Sequence, residues 1–178
     1  NAAAPVTDVS TNPVGPSGIP SGAVTFSSTG PYCDTTMSAP ASKAGVDHTT
    51  ITMELTESQV MGTAEILHIL SRFRLRNFKL SIDDFGTGHS SLARLRRLPF
   101  TELKIDRSFV DGAADDADLQ SILTSSIELG KRLRMTVVAE GVERWADWRL
   151  LERLGCDQVQ GYIASLPIAA ADIPMFVK

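Results

Sequence analysis

Hydrophobic and polar positions alternate with two different periods along most of the chain, from about Lys43 onwards. Five short runs of apolar and β-branched residues have the period of two that is typical of β-strands. They are TITMELT from Thr50, FKLSIDD from Phe78, ELKID from Glu102, MTVVAEG from Met135 and QVQGYI from Gln158. The runs therefore predict five strands that are separated by longer segments.

The segments between the runs have the period of an amphipathic helix. They are AEILHILSRFRL from Ala64, SSLARLRRL from Ser90, DLQSILTSSIELGKRL from Asp118 and WADWRLLERLG from Trp145. Strands that alternate with helices of this length predict βαβ units, and so an α/β fold with a parallel sheet. About five parallel strands and four helices make up roughly half of an eight-fold barrel, and we expect a partial, TIM-like (βα) barrel. Trp145 and Trp148 lie three positions apart on the last helix, which predicts packing against the sheet.

Residues 1–41 have a different character, because they are rich in Ala, Pro, Ser, Thr and Gly and carry only two charged residues, Asp8 and Asp34. Such a segment buries too little apolar surface to offset the entropy lost on ordering. We expect residues 1–41 to be a linker or irregular tail, in which VTFSS from Val24 has the pattern of one isolated strand. The chain begins with Asn1 rather than methionine, and we expect it to be a fragment.

Composition narrows the class of protein. With 178 residues, of which 43% are hydrophobic, the chain is long enough for one globular domain. Its net charge of −4 offers no basic surface for DNA. No apolar run reaches the length of a membrane span and no secretion signal is present, so we expect a cytoplasmic protein. Cys33 and Cys156 have no Cys or His companions at metal-site spacing, which disfavours zinc and a disulfide framework.

Charged residues occupy one face of the predicted strands. Side chains alternate along a strand, so Leu103 and Ile105 face one side of the sheet while Lys104 faces the other. The same alternation applies to the other polar positions near the carboxyl ends of the strands, where parallel α/β proteins collect their catalytic groups. We therefore predict that one rim of the sheet gathers Glu54, Asp83, Asp84, Lys104 and Glu140.

Carboxylates gathered in this way would repel one another and take up protons unless a cation lay between them. Oxygen ligands suit Mg²⁺ or Mn²⁺ rather than zinc. Adjacent Asp83 and Asp84 have the arrangement needed to bridge two ions about 3.5 to 4 Å apart, as in two-metal phosphoester chemistry. The alternative is that Asp83 caps the following helix and Asp84 supports the turn. The charged residues on the neighbouring strands favour the metal.

Five motifs in this order resemble the EAL family of bacterial cyclic di-GMP phosphodiesterases. They are ELTES from Glu54, DDFGTG from Asp83, KIDRSFV from Lys104, AEGVE from Ala139 and GCDQVQGY from Gly155. The resemblance covers about residues 42–170 and implies that residues 42–178 are the carboxyl-terminal part of an EAL-like domain. It implies a modified (βα) barrel that binds two Mg²⁺ or Mn²⁺ ions and hydrolyses cyclic di-GMP to the linear dinucleotide.

The resemblance also implies a role for individual residues. Lys104 looks like the residue that positions the attacking water and balances charge. Glu140 resembles a further metal-site carboxylate that acts directly or through water, and Gln160 resembles a polar contact near the water. The residues that look like metal ligands are Glu54, Asp83 and Asp84.

A second group of residues belongs to the DDFGTG loop. Glu57 is similar to the glutamate that holds this loop in the family, and Gly86 and Gly88 permit backbone conformations closed to other residues. Because the loop links the site to dimerisation in the family, the resemblance implies a homodimer. It also implies an upstream receiver or sensor domain.

The sequence departs from the family in its first part. Residues 1–50 contain no Glu-Ala-Leu triplet, and no Asn stands in the context that supplies a further metal ligand. The complete family domain also has about three more strands ahead of ELTES. His89 replaces the aromatic residue usual after GTG. We expect the chain by itself to be a weak or inactive phosphodiesterase.

Two other interpretations remain open at this point. One is a degenerate EAL module that binds cyclic di-GMP or a protein partner without catalysis. The other is a stable α/β half-domain that has kept the motifs without any activity. The missing triplet and Asn favour the two alternatives. The enzyme is favoured by the retained residues, which are Glu54, Asp83, Asp84, Lys104, Glu140 and Gln160.

Overall fold

The computed structural model describes residues 24–27, 43, 45–60, 65–88, 92–169 and 172. The strands are β1 Val24–Ser27, β2 Ile51–Thr56, β3 Lys79–Phe85, β4 Glu102–Ile105, β5 Thr136–Ala139 and β6 Gln158–Val159. The α-helices are α1 Glu57–Val60, α2 Glu65–Leu75, α3 Leu92–Leu95, α4 Arg107–Val110, α5 Ala117–Arg132 and α6 Trp145–Leu154. Two 3₁₀ turns lie at His48–Thr50 and Ala113–Asp115.

All the described strands are parallel and pair with their neighbours in chain order, from β1 to β6. The predicted α/β fold and its five parallel strands are confirmed. The segment that begins at Val24 is a sixth strand, and the expectation that it is isolated was wrong, since β1 pairs with β2 along its whole length. A lone strand leaves its backbone N–H and C=O groups unpaired, and the free edge of β2 satisfies them.

All four predicted helical segments contain helices, but one of these helices is short. The segment predicted over residues 90–98 forms a helix only at Leu92–Leu95, and residues 89–91, including His89, lie outside the described part of the chain. The helix ends at Leu95, four residues before Pro99, whose ring would clash with the Leu95 carbonyl in a continued helix. Among the described helices, none combines the length and the apolar character that crossing a membrane requires.

The core lies between the sheet and its helices. The strands contribute apolar residues at alternate positions, and these pack in one cluster with the inward faces of α2, α5 and α6. Fully buried members include Leu80, Ile82, Leu103, Ile105, Val137, Leu123 and Leu151. Gly130 on α5 lies directly against β5, because a Cβ placed there would overlap Val137 Cγ2. The helix therefore approaches the strand more closely than any larger residue would allow.

The two tryptophans on α6 differ in burial. Trp148 packs against the core cluster as predicted. Trp145 is 66% exposed, so the prediction that it packs against the sheet was wrong. It is the first residue of the helix, and its ring lies 5.8 Å from that of Trp148, centroid to centroid.

Candidate metal centre

Strand alternation delivers a buried lysine to the polar side of β4. Lys104 lies between Leu103 and Ile105, which are fully buried in the core. Because neighbouring side chains on a strand point to opposite faces, the Lys104 side chain must leave the core side of the sheet. Lys104 is nevertheless only 4% exposed, since its ammonium lies among carboxylates from the neighbouring strands.

Three carboxylates surround this ammonium. Lys104 Nζ lies 3.0 Å from Glu54 Oε1, 3.1 Å from Asp83 Oδ1 and 2.5 Å from Glu140 Oε1. Glu54 belongs to β2, Asp83 belongs to β3, and Glu140 directly follows β5. The structure thus brings together side chains from four consecutive strands at one place.

Asp84 reaches the same place because β3 is irregular there. Ile82 pairs with Leu103 and Phe85 pairs with Ile105, so β3 has one residue more than β4 between these two pairs. Asp84 occupies this bulge with a φ of 55°, in the left-handed region that Asp tolerates better than most residues. Strict alternation would have turned Asp84 away from Asp83. Instead, carboxylate oxygens of Asp83, Asp84 and Glu140 all lie within 4.8 Å of one another.

Burial and mutual repulsion shift the protonation of these groups. Burial raises the pKa of Glu140 to about 7, although the Lys104 ammonium acts in the opposite direction. Burial also raises the pKa values of Glu54 and Asp84, and the Asp83 charge adds to the effect on Asp84. Burial lowers the pKa of Lys104, but Glu140 and Glu54 outweigh it and leave that pKa above its ordinary value. The cluster therefore holds more negative charge than one ammonium balances.

The residues present fit a divalent cation. Asp83 Oδ1 is buried and lies 3.1 Å from Lys104 Nζ, but that ammonium is shared with Glu54 and Glu140. Three carboxylates around one ammonium, with Asp84 beside them, leave negative charge that a divalent cation would balance. The ligands available at Asp83, Asp84 and Glu140 are all oxygens, which suit a hard ion. Glu54 contacts Lys104 but lies outside this group of three.

Gln160 is joined to the site through its backbone. Its N–H donates to Ala139 O at 2.8 Å, and its carbonyl accepts from Val142 N–H at 3.0 Å. These bonds hold Gln160 next to the residues that flank Glu140. Within the described residues, no hydrogen bond or ion pair connects its side chain to the carboxylate cluster.

The DDFGTG loop packs on Glu57 at the start of α1. Gly86 N–H donates to Glu57 Oε2 at 3.2 Å, and Glu57 is buried. A Cβ at Gly88 would lie 2.7 Å from Glu57 Oε1, and a Cβ at Gly86 would lie 2.9 Å from Phe109 Cε2. Gly86 also has a φ of 99°. A side chain at either position would displace Glu57 or Phe109, and Gly86 is also favoured by its backbone conformation.

Sequence reasoning missed a set of contacts around the rim. Arg107 Nη1 lies 2.9 Å from Glu143 Oε1, between the segments that follow β4 and β5. Asp106 caps α4 by accepting from Ser108 N–H at 3.0 Å. Both Arg107 and Glu143 lie within the motifs KIDRSFV and AEGVE, but neither helical nor strand periodicity applies to them. The motifs thus marked Arg107 and Glu143 as candidate functional residues, but they did not predict the ion pair between them.

Comparison with known proteins places the site in a family. The sequence pattern of the EAL domain family matches residues 25–167. The chain is 44% identical over 122 residues to MucR of Pseudomonas aeruginosa, a bifunctional diguanylate cyclase/cyclic di-GMP phosphodiesterase. That match covers 68% of this chain and 18% of MucR, so the chain spans less than a fifth of this curated relative.

Solved structures agree with the fold. The PaMucR phosphodiesterase in complex with c-di-GMP superposes with a TM-score of 0.72 and 40% identity, covering 76% of this chain and 55% of that chain. BlrP1 of Klebsiella pneumoniae, in its manganese and c-di-GMP complex at pH 9.0, superposes with a TM-score of 0.66 and 33% identity, covering 70% of this chain and 32% of that chain. The predicted partial barrel of the EAL type is thereby confirmed. The chain belongs to the EAL domain family.

Proposed function

We propose that the chain carries part of a cyclic di-GMP phosphodiesterase site, in which Asp83, Asp84 and Glu140 bind a divalent cation, Mg²⁺ or Mn²⁺. The observation that carries the proposal is that these three carboxylates lie within 4.8 Å of one another beside the buried Lys104 ammonium. MucR is a cyclic di-GMP phosphodiesterase by name, and BlrP1 forms a complex with manganese and c-di-GMP. Both relatives support the same chemistry for this chain.

The reaction assigned to the site is hydrolysis of one phosphodiester bond to give the linear dinucleotide. A divalent cation held there would make water acidic enough to attack at neutral pH and would neutralise charge on the phosphoryl oxygens. Lys104 stays protonated at neutral pH, because its pKa lies above the ordinary value. Its ammonium can therefore donate a hydrogen bond to the attacking water or to a phosphoryl oxygen.

The other residues support these groups. Glu54 is assigned as a further metal ligand, and its contact with Lys104 orients the ammonium from the β2 side. Gln160 is assigned as a polar contact near the attacking water. Glu57 is assigned to the stabilisation of the loop that contains Gly86 and Gly88, since it accepts a hydrogen bond from the Gly86 backbone.

The test is hydrolysis of cyclic di-GMP, followed by chromatography of the linear product. It uses the chain itself and a version that also carries the upstream part of an EAL domain, each with Mg²⁺ or Mn²⁺. We expect the longer version to be active and Asp83→Asn to reduce its turnover by about 100-fold or more, since loss of even an outer-shell partner typically costs 10- to 100-fold. Asp118→Asn, an exposed acid on α5, is the matched control and should retain activity.

By itself, we propose, the chain hydrolyses cyclic di-GMP very slowly or not at all. Residues 1–50 contain neither the Glu-Ala-Leu triplet nor the Asn ligand that the family resemblance implies. An incomplete metal set loses charge stabilisation in the transition state, so turnover should fall more than nucleotide binding. Activity of the short chain equal to that of the longer version would contradict this ligand count.

A second candidate is a module that binds cyclic di-GMP or a protein partner without catalysis. The observation that favours it is the same missing triplet in residues 1–50. An inactive longer version that still bound cyclic di-GMP would support this candidate over the enzyme. Retention of the three clustered carboxylates favours the enzyme, since binding alone does not need them.

Three further predictions belong with this proposal. We propose that the protein forms a homodimer through the DDFGTG loop, because Glu57 fixes that loop next to the site.

An upstream receiver or sensor domain is proposed because the matched region is 18% of MucR. The cytoplasm is proposed as the compartment, where a second messenger would be degraded.

A further inference from the structure

The segments that follow β4 and β5 are joined by a second ion pair, Arg107–Glu143, in addition to the Lys104–Glu140 pair. The loop after β4 leads from Lys104 to Arg107 within three residues, and the loop after β5 leads from Glu140 to Glu143 in the same number. Arg107 Nη1 lies 2.9 Å from Glu143 Oε1, and Lys104 Nζ lies 2.5 Å from Glu140 Oε1. The outer pair thus joins the same two segments three residues after the inner pair.

The Arg107 side chain also packs directly on the backbone next to Glu140. Gly141 follows Glu140 and has a φ of 65°. A Cβ at Gly141 would lie 2.6 Å from both Cβ and Cδ of Arg107, so the aliphatic part of Arg107 occupies that space. Glycine is the residue with the greatest backbone freedom, and here Arg107 covers it. The Arg107 side chain therefore restrains the backbone on one side of Glu140, and on the other side the Glu140 N–H donates to Ile105 O at 3.0 Å.

The far ends of the two loops are fixed to each other as well. Asp147, which is 1% exposed, accepts from Gly112 N–H at 3.2 Å and from Ala114 N–H at 2.8 Å. Arg144 forms an ion pair with Asp115. The two segments are therefore held together by β4–β5 pairing at one end and by the Asp147 hydrogen bonds at the other. The Arg107–Glu143 ion pair joins them between these two points.

Glu140 needs such a restraint because of its neighbours. Its carboxylate lies beside the like charges of Asp83 and Asp84, which repel it, and a single ammonium attracts it. The Arg107 and Glu143 side chains are 51% and 34% exposed, and ion pairs at such partly exposed positions contribute little to overall stability. Removal of the pair should therefore affect the placement of Glu140 rather than the unfolding of the protein.

We propose that Arg107, paired with Glu143, is a positioning residue that holds Glu140 in place beside Lys104. The inference rests on the proposed function, because it assigns Glu140 to the metal site. It adds two residues that act through Glu140 and do not touch the metal or the reacting atoms. The arrangement predicts that the attraction between positions 107 and 143 contributes to this placement, together with the packing of the Arg107 stem on Gly141.

The experiment compares Arg107→Gln, Glu143→Gln and the reversed pair Arg107→Glu with Glu143→Arg, all in the full chain. Mn²⁺ affinity is measured by calorimetry, and hydrogen exchange of residues 140–147 is measured without metal. We expect each single variant to bind Mn²⁺ about 10-fold more weakly, as for other outer-shell partners, and to exchange faster in this segment. The reversed pair restores the attraction between positions 107 and 143 but sets Arg107→Glu beside Asp111, so it should recover part of both losses. Glu128→Gln and Arg132→Gln, which break an exposed pair on α5, are the matched controls and should change neither readout.

Two results would overturn the inference. One is an unchanged Mn²⁺ affinity and unchanged exchange in both single variants. The other is weaker cyclic di-GMP binding in Arg107→Gln with unchanged Mn²⁺ affinity, because Arg107 would then contact the nucleotide itself. Asp83→Asn separates the inference from the proposed function. Mn²⁺ binding that survived Asp83→Asn would contradict the proposed metal site, whereas the exchange measurement without metal would still test the restraint on residues 140–147.

Discussion

One ammonium group stands at the centre of the site and is shared by three carboxylates. Lys104 is almost fully buried, and the cost of burying its charge is offset by Glu54, Asp83 and Glu140. The balance is incomplete, however, because the carboxylates outnumber the ammonium. The pKa of Glu140 is accordingly raised by burial to about 7. Near pH 7 this carboxyl group therefore exchanges readily between its protonated and ionised forms.

This imbalance predicts how the stability of the metal-free chain depends on pH. Glu140 binds a proton in the folded state up to about pH 7, whereas in the unfolded state it loses it near pH 4.3. The folded state therefore holds more protons in this window, and the free energy of unfolding falls as the pH rises through it. The raised pKa of Lys104 does not alter this sign, since its proton stays bound throughout. Urea unfolding in EDTA should show a decrease on the order of 1 to 3 kcal/mol between pH 5 and pH 8.

The control for this prediction is Glu140→Gln, which removes the titrating group. Its unfolding free energy should vary less between pH 5 and pH 8 than that of the parent chain. A parent chain that became more stable over this range, or a variant with the same decrease, would contradict the assignment to Glu140.

Burial also governs the reactivity of Cys156. Burial raises the pKa of its thiol to about 11, and the thiol lies 3.3 Å from Gln158 O. At pH 8 only about 0.1% of such a thiol is ionised, and the thiolate is the reactive form. With Cys33→Ser, which leaves Cys156 as the sole cysteine, a disulfide reagent should react roughly 100-fold more slowly in the folded chain than in urea. Equal rates in the two conditions would show that the thiol is accessible and ionised.

At the scale of elements, α5 packs closely on β5 through a glycine. Gly130 brings the helix onto Val137, where a Cβ would overlap the valine side chain. Alanine is the better helix former by about 1 kcal/mol, but overpacking of a filled core costs typically 1 to 3 kcal/mol. We expect Gly130→Ala to be less stable than the parent by about 1 kcal/mol, as measured by urea unfolding. Ser125→Ala, on the exposed side of the same helix, is the control and should be neutral or slightly stabilising.

Sequence periodicity predicted most of the elements but not how their ends are shaped. Alternation placed Glu54 and Lys104 on one side of the sheet because both lie inside regular strand patterns. It could not place Asp84, whose orientation depends on an extra residue in β3 and on a φ of 55°. Neither could it join Arg107 to Glu143, since Arg107 begins the one-turn helix α4 and Glu143 lies on the segment between β5 and α6. Regular backbone is encoded locally, whereas bulges and contacts between loops depend on the neighbouring strand.

For the whole molecule, a cation bound at the proposed site would cross-link separate strands. Asp83 and Asp84 lie on β3 and Glu140 follows β5, so a cation bound to all three would connect two strands that flank β4. A cation that binds the folded chain and not the unfolded chain stabilises the fold, by about 2.7 kcal/mol when the free ion is at 100 times its Kd. For a chain of this length, that corresponds to a rise in Tm of about 5 to 10 °C.

A thermal unfolding experiment with increasing Mn²⁺ tests this expectation. The Tm of the parent chain should rise with the logarithm of the Mn²⁺ concentration, and excess EDTA should reverse the change. Asp83→Asn should show a much smaller rise, and Asp118→Asn should behave as the parent chain does. A rise of the same size in all three proteins would mean that Mn²⁺ acts elsewhere on the surface.

The position of the two tryptophans gives the protein a built-in optical probe. The chain has only two tryptophans, and both lie on the first turn of α6, five and eight residues after Glu140. All indole emission therefore arises from one end of one helix, and with Trp148→Phe it arises solely from the exposed ring of Trp145. Quenching by bound Mn²⁺, which is paramagnetic, or by a guanine base would report occupancy of the rim without any label. The same signal would allow binding to be followed in stopped-flow instruments on the millisecond scale.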